Sequence, residues 1–282
     1  LQRTDIFIKI LIDLNIFKRK MKITMCSPDF FGVKYEINPW MHINDQPNLE
    51  LAKKQWQGAK DIFERLGIEV DVIEPDENCP DMVFTANAGL PIGDKFILSN
   101  FTFKERKAEE PLFKEFFSKK FKELVELPED VKFEGQGEAF FVDNKLFLGS
   151  GFRSSKGARE ELQKQLSQEY EVVQLELINP KFYHLDTALQ SLGDGNFLVA
   201  KDAFSESSLK ELKKHGNLIY LSQEDSDAFC ANCIVFEKNI VISDPSKELE
   251  AKLNDLSFTI HKNNMSQFLK SGGAVRCVSL VH

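Results

Sequence analysis

The side chains able to do chemistry stand at odd places in an otherwise ordinary sequence. Cys277 closes Ser271-Gly-Gly-Ala-Val-Arg-Cys, and His184 and Asp186 share Tyr183-His-Leu-Asp. Glu134 and Glu138 bracket a glycine-rich loop in Phe133-Glu-Gly-Gln-Gly-Glu, and Asn87 follows Asp81-Met-Val-Phe-Thr-Ala. A thiol with an imidazole makes a nucleophile and a proton carrier. Clustered carboxylates suit a planar cation rich in N–H donors, which they grip through paired, charge-assisted hydrogen bonds. Singly, each residue has a plainer reading. A cysteine in a terminal strand is commonly a small buried hydrophobe, a lone histidine a hydrogen-bonded structural residue, a Gly-Gly pair a bend, and a loop glutamate a solvated turn residue. What lifts them above those readings is that they recur at comparable points of a repeat.

The repeat consists of apolar hairpins alternating with amphipathic helices. Met82–Thr85 and Lys95–Leu98 flank a region with Asn87, Gly89, Pro91 and Gly93, and Ala139–Val142 and Lys145–Leu148 flank Asp143-Asn144. Ala188–Leu192 and Phe197–Ala200 flank Gly193-Asp-Gly-Asn196, and Cys233–Phe236 and Ile240–Ile242 flank Glu237-Lys-Asn239. Each has the short polar or glycine-bearing turn of a hairpin. Apolar residues at three- and four-residue spacing predict helices over Leu49–Leu66 and Leu112–Leu124, with shorter ones at Arg159–Leu166 and Ser208–Lys214. Single strands follow at Glu69–Ile73, Val172–Leu175 and Leu218–Leu221. A unit recurring at roughly fifty residues is typical of propeller-like arrays. Pairing of Ala274–Leu280 with Ile23–Cys26 would add a fifth hairpin and close the ring, in which case equivalent positions converge on its axis. No linker splits residues 21–282, which are expected to form one domain.

Composition narrows the function. The 282 residues carry a net charge of −8, with a sequence pI near 5.3, so there is no basic footprint for nucleic acid. Twenty-five phenylalanines against four tyrosines and two tryptophans read as core filling. Five cysteines, an odd number, point to free thiols in a reducing compartment and a cytoplasmic location. Cys230 and Cys233 form one C-x-x-C with no second pair, so a strand of small buried residues is preferred to a zinc site there. The apolar run Ile6–Phe17 is broken by Lys9 and Asp13 and is too short and too charged to span a bilayer. Residues 1–20 are expected to be a non-core extension or, alternatively, an amphipathic docking helix.

The ordered motifs resemble a known family. Ser27-Pro-Asp-Phe-Phe-Gly-Val-Lys-Tyr-Glu-Ile-Asn-Pro-Trp-Met41, Asp81–Asn87, Glu134–Glu138, His184-Leu-Asp186 and Ser271–Cys277 are similar to the guanidine-modifying enzymes of the pentein fold. The resemblance covers about Met21 to the C-terminus and implies an α/β fold, a five-bladed propeller of ββαβ units. It implies Cys277 as nucleophile, His184 as general acid/base, and Glu134 and Asp186 as carboxylates holding the guanidinium, with Glu138 beside them and no metal or cofactor. A guanidinium carbon is a poor electrophile, so a thiolate is called for, its pKa lowered by the bound cation and a protonated imidazole.

One departure is informative. The deiminases of the superfamily end the Phe-Thr-x-Asp motif in Asp, where this chain has Asn87; Asn38, before Pro39, is a second neutral amide. The Asn pair resembles the arginine dihydrolases, which carry arginine through citrulline to ornithine. An asparagine can donate as well as accept, and so can hold the neutral ureido oxygen of citrulline. The plainer reading of Asn38 is a turn residue. Arg153, in Gly149-Ser-Gly-Phe-Arg, is the candidate for the substrate's α-carboxylate, with a surface role as the alternative. Dimethylarginine hydrolysis, one-step deimination and amidino transfer remain rival reactions. An inactive arginine-binding scaffold and a metallohydrolase using His184 and Asp186 are rival classes. A small-molecule substrate is implied, with no nucleic acid and no membrane, and a homo-oligomer is compatible with the sequence.

Overall fold

The computed structural model describes residues 21–282, and the expected extension over residues 1–20 lies outside the described residues. Five three-stranded sheets stand around an axis as the blades of an α/β propeller. In each, an antiparallel hairpin is extended by a third strand that runs parallel to the hairpin's second strand and arrives after a helix or, in the third blade, after a short helix of one to two turns.

The first blade holds β3 (Gly89–Ile92), β4 (Lys95–Leu98) and β5 (Glu123–Val125), the last delivered by α2 (Glu109–Ser118). The second holds β6 (Ala139–Val142), β7 (Lys145–Ser150) and β8 (Glu171–Glu176), with α3 (Ala158–Gln165) between. Its hairpin turns at Asp143, whose φ of 52° suits a tight two-residue loop. The third holds β9 (Leu189–Gly193), β10 (Asn196–Val199) and β11 (Asn217–Tyr220), with α4 (Glu206–Leu212). After α5 (Gln223–Asp227), the fourth holds β12 (Ile234–Phe236), β13 (Asn239–Ile242) and β14 (Thr259–Lys262), with α6 (Lys247–Asp255). The fifth blade joins the ends of the described chain. β15 (Leu280–Val281), which follows α7 (Ser266–Leu269), pairs with β1 (Lys22–Cys26), and β1 pairs with β2 (Glu69–Ile73) after α1 (Leu49–Arg65).

The helices form by ordinary rules. Asn48 caps α1 by accepting from the Leu51 N–H, and Ala52, Trp56, Ala59, Ile62 and Phe63 share its buried face. The phenylalanines fill the spaces under the helices; Phe96 of β4 stacks on Phe117 of α2 with centroids 4.0 Å apart.

Three expectations need correction. Met82–Thr85 is not a strand: 3-10 turns at Pro80–Val83 and Thr85–Ala88 occupy that stretch, and the strand starts at Gly89. Pro80 favours the first turn of such a helix, whereas the apolar run alone reads as extended. Cys277 does not lie in a strand either. Val278 N–H donates to Ala274 O and Ser279 N–H to Arg276 O, so the chain coils through turns before the two-residue β15. Cys230–Cys233 likewise form turns, with Asn232 N–H donating to Phe229 O.

Because β15 is short, the ring closure leans on a side chain. The Gln136 amide acts as a strand edge: its Nε2 donates to Val281 O at 2.6 Å and its Oε1 accepts from Val281 N–H at 2.9 Å. Gln136→Leu orphans two half-buried backbone groups, and an unsatisfied buried group costs about 1–3 kcal/mol. Urea unfolding should show a loss in that range with an unchanged slope. An unaltered midpoint would show that β1 alone holds β15.

Candidate active site

Each blade enters its innermost strand through a tight turn, and these five turns meet at the axis. The turn before β3 supplies Asn87, that before β6 Glu134 and Glu138, that before β9 His184 and Asp186, and that before β15 Cys277. The turn before β12 supplies Asn232, which sequence reasoning missed. All are buried. Two glycines make the convergence sterically feasible. A Cβ at Gly137 would sit 2.2 Å from Asn87 Nδ2, and Gly272 has φ of 76°, in the left-handed region.

Asn232 sets Cys277 in place. Its Oδ1 accepts from the N–H groups of both Ala274 and Cys277 at 3.1 Å, pinning the coil that carries the thiol. Its Nδ2 donates to Asp186 O and to Cys277 Sγ, each at 3.1 Å. One amide therefore ties the third, fourth and fifth blades together. The signal that could have found it was the repeat itself, since the fourth hairpin alone lacked a polar residue at its entry. Reading Cys-Ala-Asn-Cys as a strand hid it.

The thiol is not paired with imidazole. Cys277 Sγ lies 3.4 Å from Asp186 Oδ2. Burial, then the Asp186 charge, raise its pKa well above that of an ordinary thiol. Asp186 is itself pushed up to about 7 by burial, against the pull of Arg276.

Glu134 is the hub of the other half. Its Oε2 accepts from Arg153 Nη1 at 3.0 Å and lies 2.8 Å from His184 Nε2. Burial works to raise this carboxyl, but Arg153 and the His184 hydrogen bond outweigh it and hold it well below the usual carboxylate range. Burial also pushes His184 down to about 4 despite Glu134, so the ring is neutral at pH 7. Arg153 is not at the surface. It is buried between the Phe103 and Tyr183 rings, 4.6 and 4.7 Å from their centroids, and also donates to Ile37 O. A guanidinium already sits against Glu134, contributed by the protein itself.

Asn87 is oriented by a second residue missed in the sequence. Arg106 Nη1 donates to Asn87 Oδ1 at 2.8 Å, which fixes the amide so that Nδ2 faces Glu134 O at 3.3 Å. Arg106 is held in turn by Glu109 through two bonds of 2.7 and 2.9 Å. The i, i+3 pair was visible in Arg106–Glu109, within a charged run that reads as solvated surface. Asn38 forms the expected turn, accepting from Trp40 N–H, and also donates to Ser271 O, tying the Ile37–Met41 loop to the Cys277 coil. Glu138 lies 3.9 Å from His184, and neither of its oxygens has a partner among the described residues. Burial, then the Glu134 charge, raise its pKa well above the carboxylate range.

Asn38, Asn87, Arg106, Arg153 and Cys277 share a cavity of about 10 Å³, room for a single water. Glu134, His184 and Asp186 stand behind it. Among the described residues no group of three or more His, Cys, Asp or Glu is arranged to hold a metal ion, and no helix is long and apolar enough to cross a membrane.

Comparison with known proteins matches residues 34–281 to the family described as N,N dimethylarginine dimethylhydrolase, eukaryotic. The bifunctional arginine dihydrolase/ornithine cyclodeaminase AgrE of Nostoc sp. is 37% identical over 93% of this chain, which spans only 38% of that protein's length. The N(G),N(G)-dimethylarginine dimethylaminohydrolase of Mycobacterium tuberculosis is 34% identical over 93% of this chain and 86% of its own. The crystal structure of the N-terminal domain of ArgZ, a cyanobacterial arginine dihydrolase, in a cysteine-to-serine variant bound to substrate, has a TM-score of 0.88 at 36% identity. It covers 93% of this chain and 97% of that one.

The charge on Asp186 is one reason the thiol resists ionisation, so Asp186→Asn should move the pH profile of Cys277 alkylation by iodoacetamide to lower pH. At a fixed pH near 8 the rate should rise by about tenfold for a fall of about one pKa unit. A profile that stays in place or moves up would remove Asp186 as the controlling charge.

Proposed function

The chain belongs to this dimethylarginine dimethylaminohydrolase family of pentein enzymes, and we propose that it is a hydrolase that opens the guanidinium group of arginine through Cys277, taking arginine on to ornithine. The observation that carries the reading is the Asn87 amide. Arg106 fixes its oxygen, and its Nδ2, which donates to Glu134 O, keeps a second N–H for a guest in the cavity that Asn87 lines with Cys277.

Arginine enters as a cation. Its guanidinium takes the place at Glu134 that Arg153 occupies in the free protein, and Arg153 turns to the substrate's α-carboxylate. Asp186 grips the other edge of the guanidinium. The added positive charge lowers the Asp186 and Cys277 pKa values together, so the thiolate forms when the substrate is in place. Sulfur then bonds to the guanidinium carbon, and a C–N bond breaks. The thiol's proton leaves on ammonia with His184 as carrier, and a cationic S-alkylthiouronium remains on Cys277. Neutral His184 next takes a proton from water as it attacks that carbon, and the C–S bond breaks to give citrulline. In a second round the ureido oxygen of citrulline is held by the Asn87 N–H. Sulfur displaces the second ammonia, and water releases a carbamic acid that separates into ornithine and carbon dioxide. No step needs a metal or cofactor.

Dimethylarginine hydrolysis is the second reading, supported by the family match and the 34% identical mycobacterial relative. Product analysis from arginine, citrulline and dimethylarginine separates the two, because only the first reading gives ornithine. Cys277→Ser should abolish nearly all turnover with normal circular dichroism, since a hydroxyl forms little anion at neutral pH. Asn87→Asp is the sharper test. Arg106 can receive the carboxylate, so attack on arginine should survive. Citrulline's oxygen would then meet only lone pairs, and a lost hydrogen bond of about 1–3 kcal/mol slows the second round by roughly one to two orders of magnitude. Citrulline should accumulate. Wild type that stops at citrulline, or a variant that still gives mainly ornithine at full rate, overturns the dihydrolase reading.

A further inference from the structure

The axis has a second mouth, at the far end of the same inner strands. Residues of β3, β6, β9, β12 and β15, the strands that the five catalytic turns lead into, line a cavity of about 810 Å³. It is far roomier than the catalytic cavity, and the catalytic chemistry makes no use of it.

Among the described residues, its lining carries one cation without an ion-pair partner in contact. Lys22, Lys120 and Lys122 reach the cavity but are ion-paired, with Glu69 at 2.7 Å, Asp71 at 2.6 Å and Asp94 at 2.7 Å. Arg276 is different. Only 7% of it is exposed, its Nε has no hydrogen-bond partner, and no hydrogen bond from its guanidinium is found among the described residues. The Phe140 ring centroid lies 5.9 Å from its guanidinium carbon. Asp186 supplies the leading opposing charge from a distance, without a hydrogen bond to it. A buried guanidinium with unfilled donors is costly unless an anion meets it. Gln190, also 7% exposed, lines the same cavity; its Nε2 donates to Ser191 O at 2.9 Å, while its Oε1 has no partner. The pocket thus offers an unfilled forked donor and an unfilled acceptor.

We propose that this axial pocket is a binding site for a small oxyanion bearing a hydroxyl, of the class of hydrogen phosphate and bicarbonate. The Arg276 guanidinium grips two of its oxygens in a forked pair, and Gln190 Oε1 accepts the hydroxyl proton. The donor and acceptor together favour such an ion over one that only accepts, such as sulfate or chloride. Because Arg276 is adjacent to Cys277 in sequence and faces Asp186, the occupant sits within electrostatic reach of the catalytic pair without touching the substrate.

Calorimetric titration of the full chain with inorganic phosphate and, separately, with bicarbonate tests this at constant ionic strength. At least one anion should bind saturably, and the stronger of the two names the source. Arg276→Gln should weaken that binding at least tenfold, and saturating arginine should leave it in place. Arsenate, which carries a hydroxyl as hydrogen phosphate does, soaked into crystals of the unaltered protein gives a second measurement that does not depend on the variant folding. Its anomalous peak should lie within hydrogen-bond distance of the Arg276 guanidinium. No saturable binding of either anion, equal affinity in Arg276→Gln, competition with arginine, or, where phosphate binds, the absence of an arsenate peak in the axial pocket would each overturn the proposal, leaving Arg276 as a structural counter-charge to Asp186.

Discussion

Removing carboxylates from water without losing their charge balance is the constraint on which this structure depends. Asp81, Glu109, Glu134, Glu138 and Asp186 are all buried near the axis, with Arg106, Arg153 and Arg276 as the buried cations beside them. A buried, unpaired carboxylate is expensive enough that it takes up a proton instead. Both outcomes occur here. Glu134 stays ionised because Arg153 and His184 bind it, whereas Asp186 and Glu138, without a cation in contact, are pushed toward their neutral forms. The guanidinium of Arg153 meets Glu134, whereas Asp186 and Glu138 lie where a further positive charge would favour their ionised forms.

The five-fold ring makes such a cluster affordable. Each blade contributes one tight turn, and the sheets behind the turns hold them rigidly through a core of stacked phenylalanine and aliphatic side chains. The site residues are therefore distant in sequence but share a layer. Closure matters most at the fifth blade, where a two-residue strand, a glutamine acting as a strand edge and the Asn232 amide together fix the coil that carries the thiol.

Much of this was legible in the sequence. Period-two apolar runs with turn residues located most of the strands, and the recurrence of polar residues at the hairpin entries pointed to the axis. What escaped was local or long-range for definable reasons. Tight 3-10 turns rich in apolar residues look like strands, which displaced Met82–Thr85 and hid Asn232. Arg106 and Glu109 neutralise each other in the interior, whereas a charged run suggests solvent. Nor does the sequence show that the neighbour of Cys277 is an acid and not an imidazolium, which only the packing of three blades decides. The fate of Arg153 is equally a matter of tertiary structure, since nothing local tells a surface arginine from one stacked between two rings.

On the proposed reaction, a guanidinium guest completes the charge balance and so ionises the site, and the protons exchanged when arginine binds report on that. Calorimetry of arginine binding to Cys277→Ser near pH 7, repeated in buffers of different ionisation enthalpy, gives that number without turnover. Asp186, held near pH 7 in the free protein, loses its share of a proton when a cation pairs with it, so net proton release is expected, fading as the pH rises above the Asp186 pKa. Binding with no proton exchange, or with proton uptake, would contradict the account.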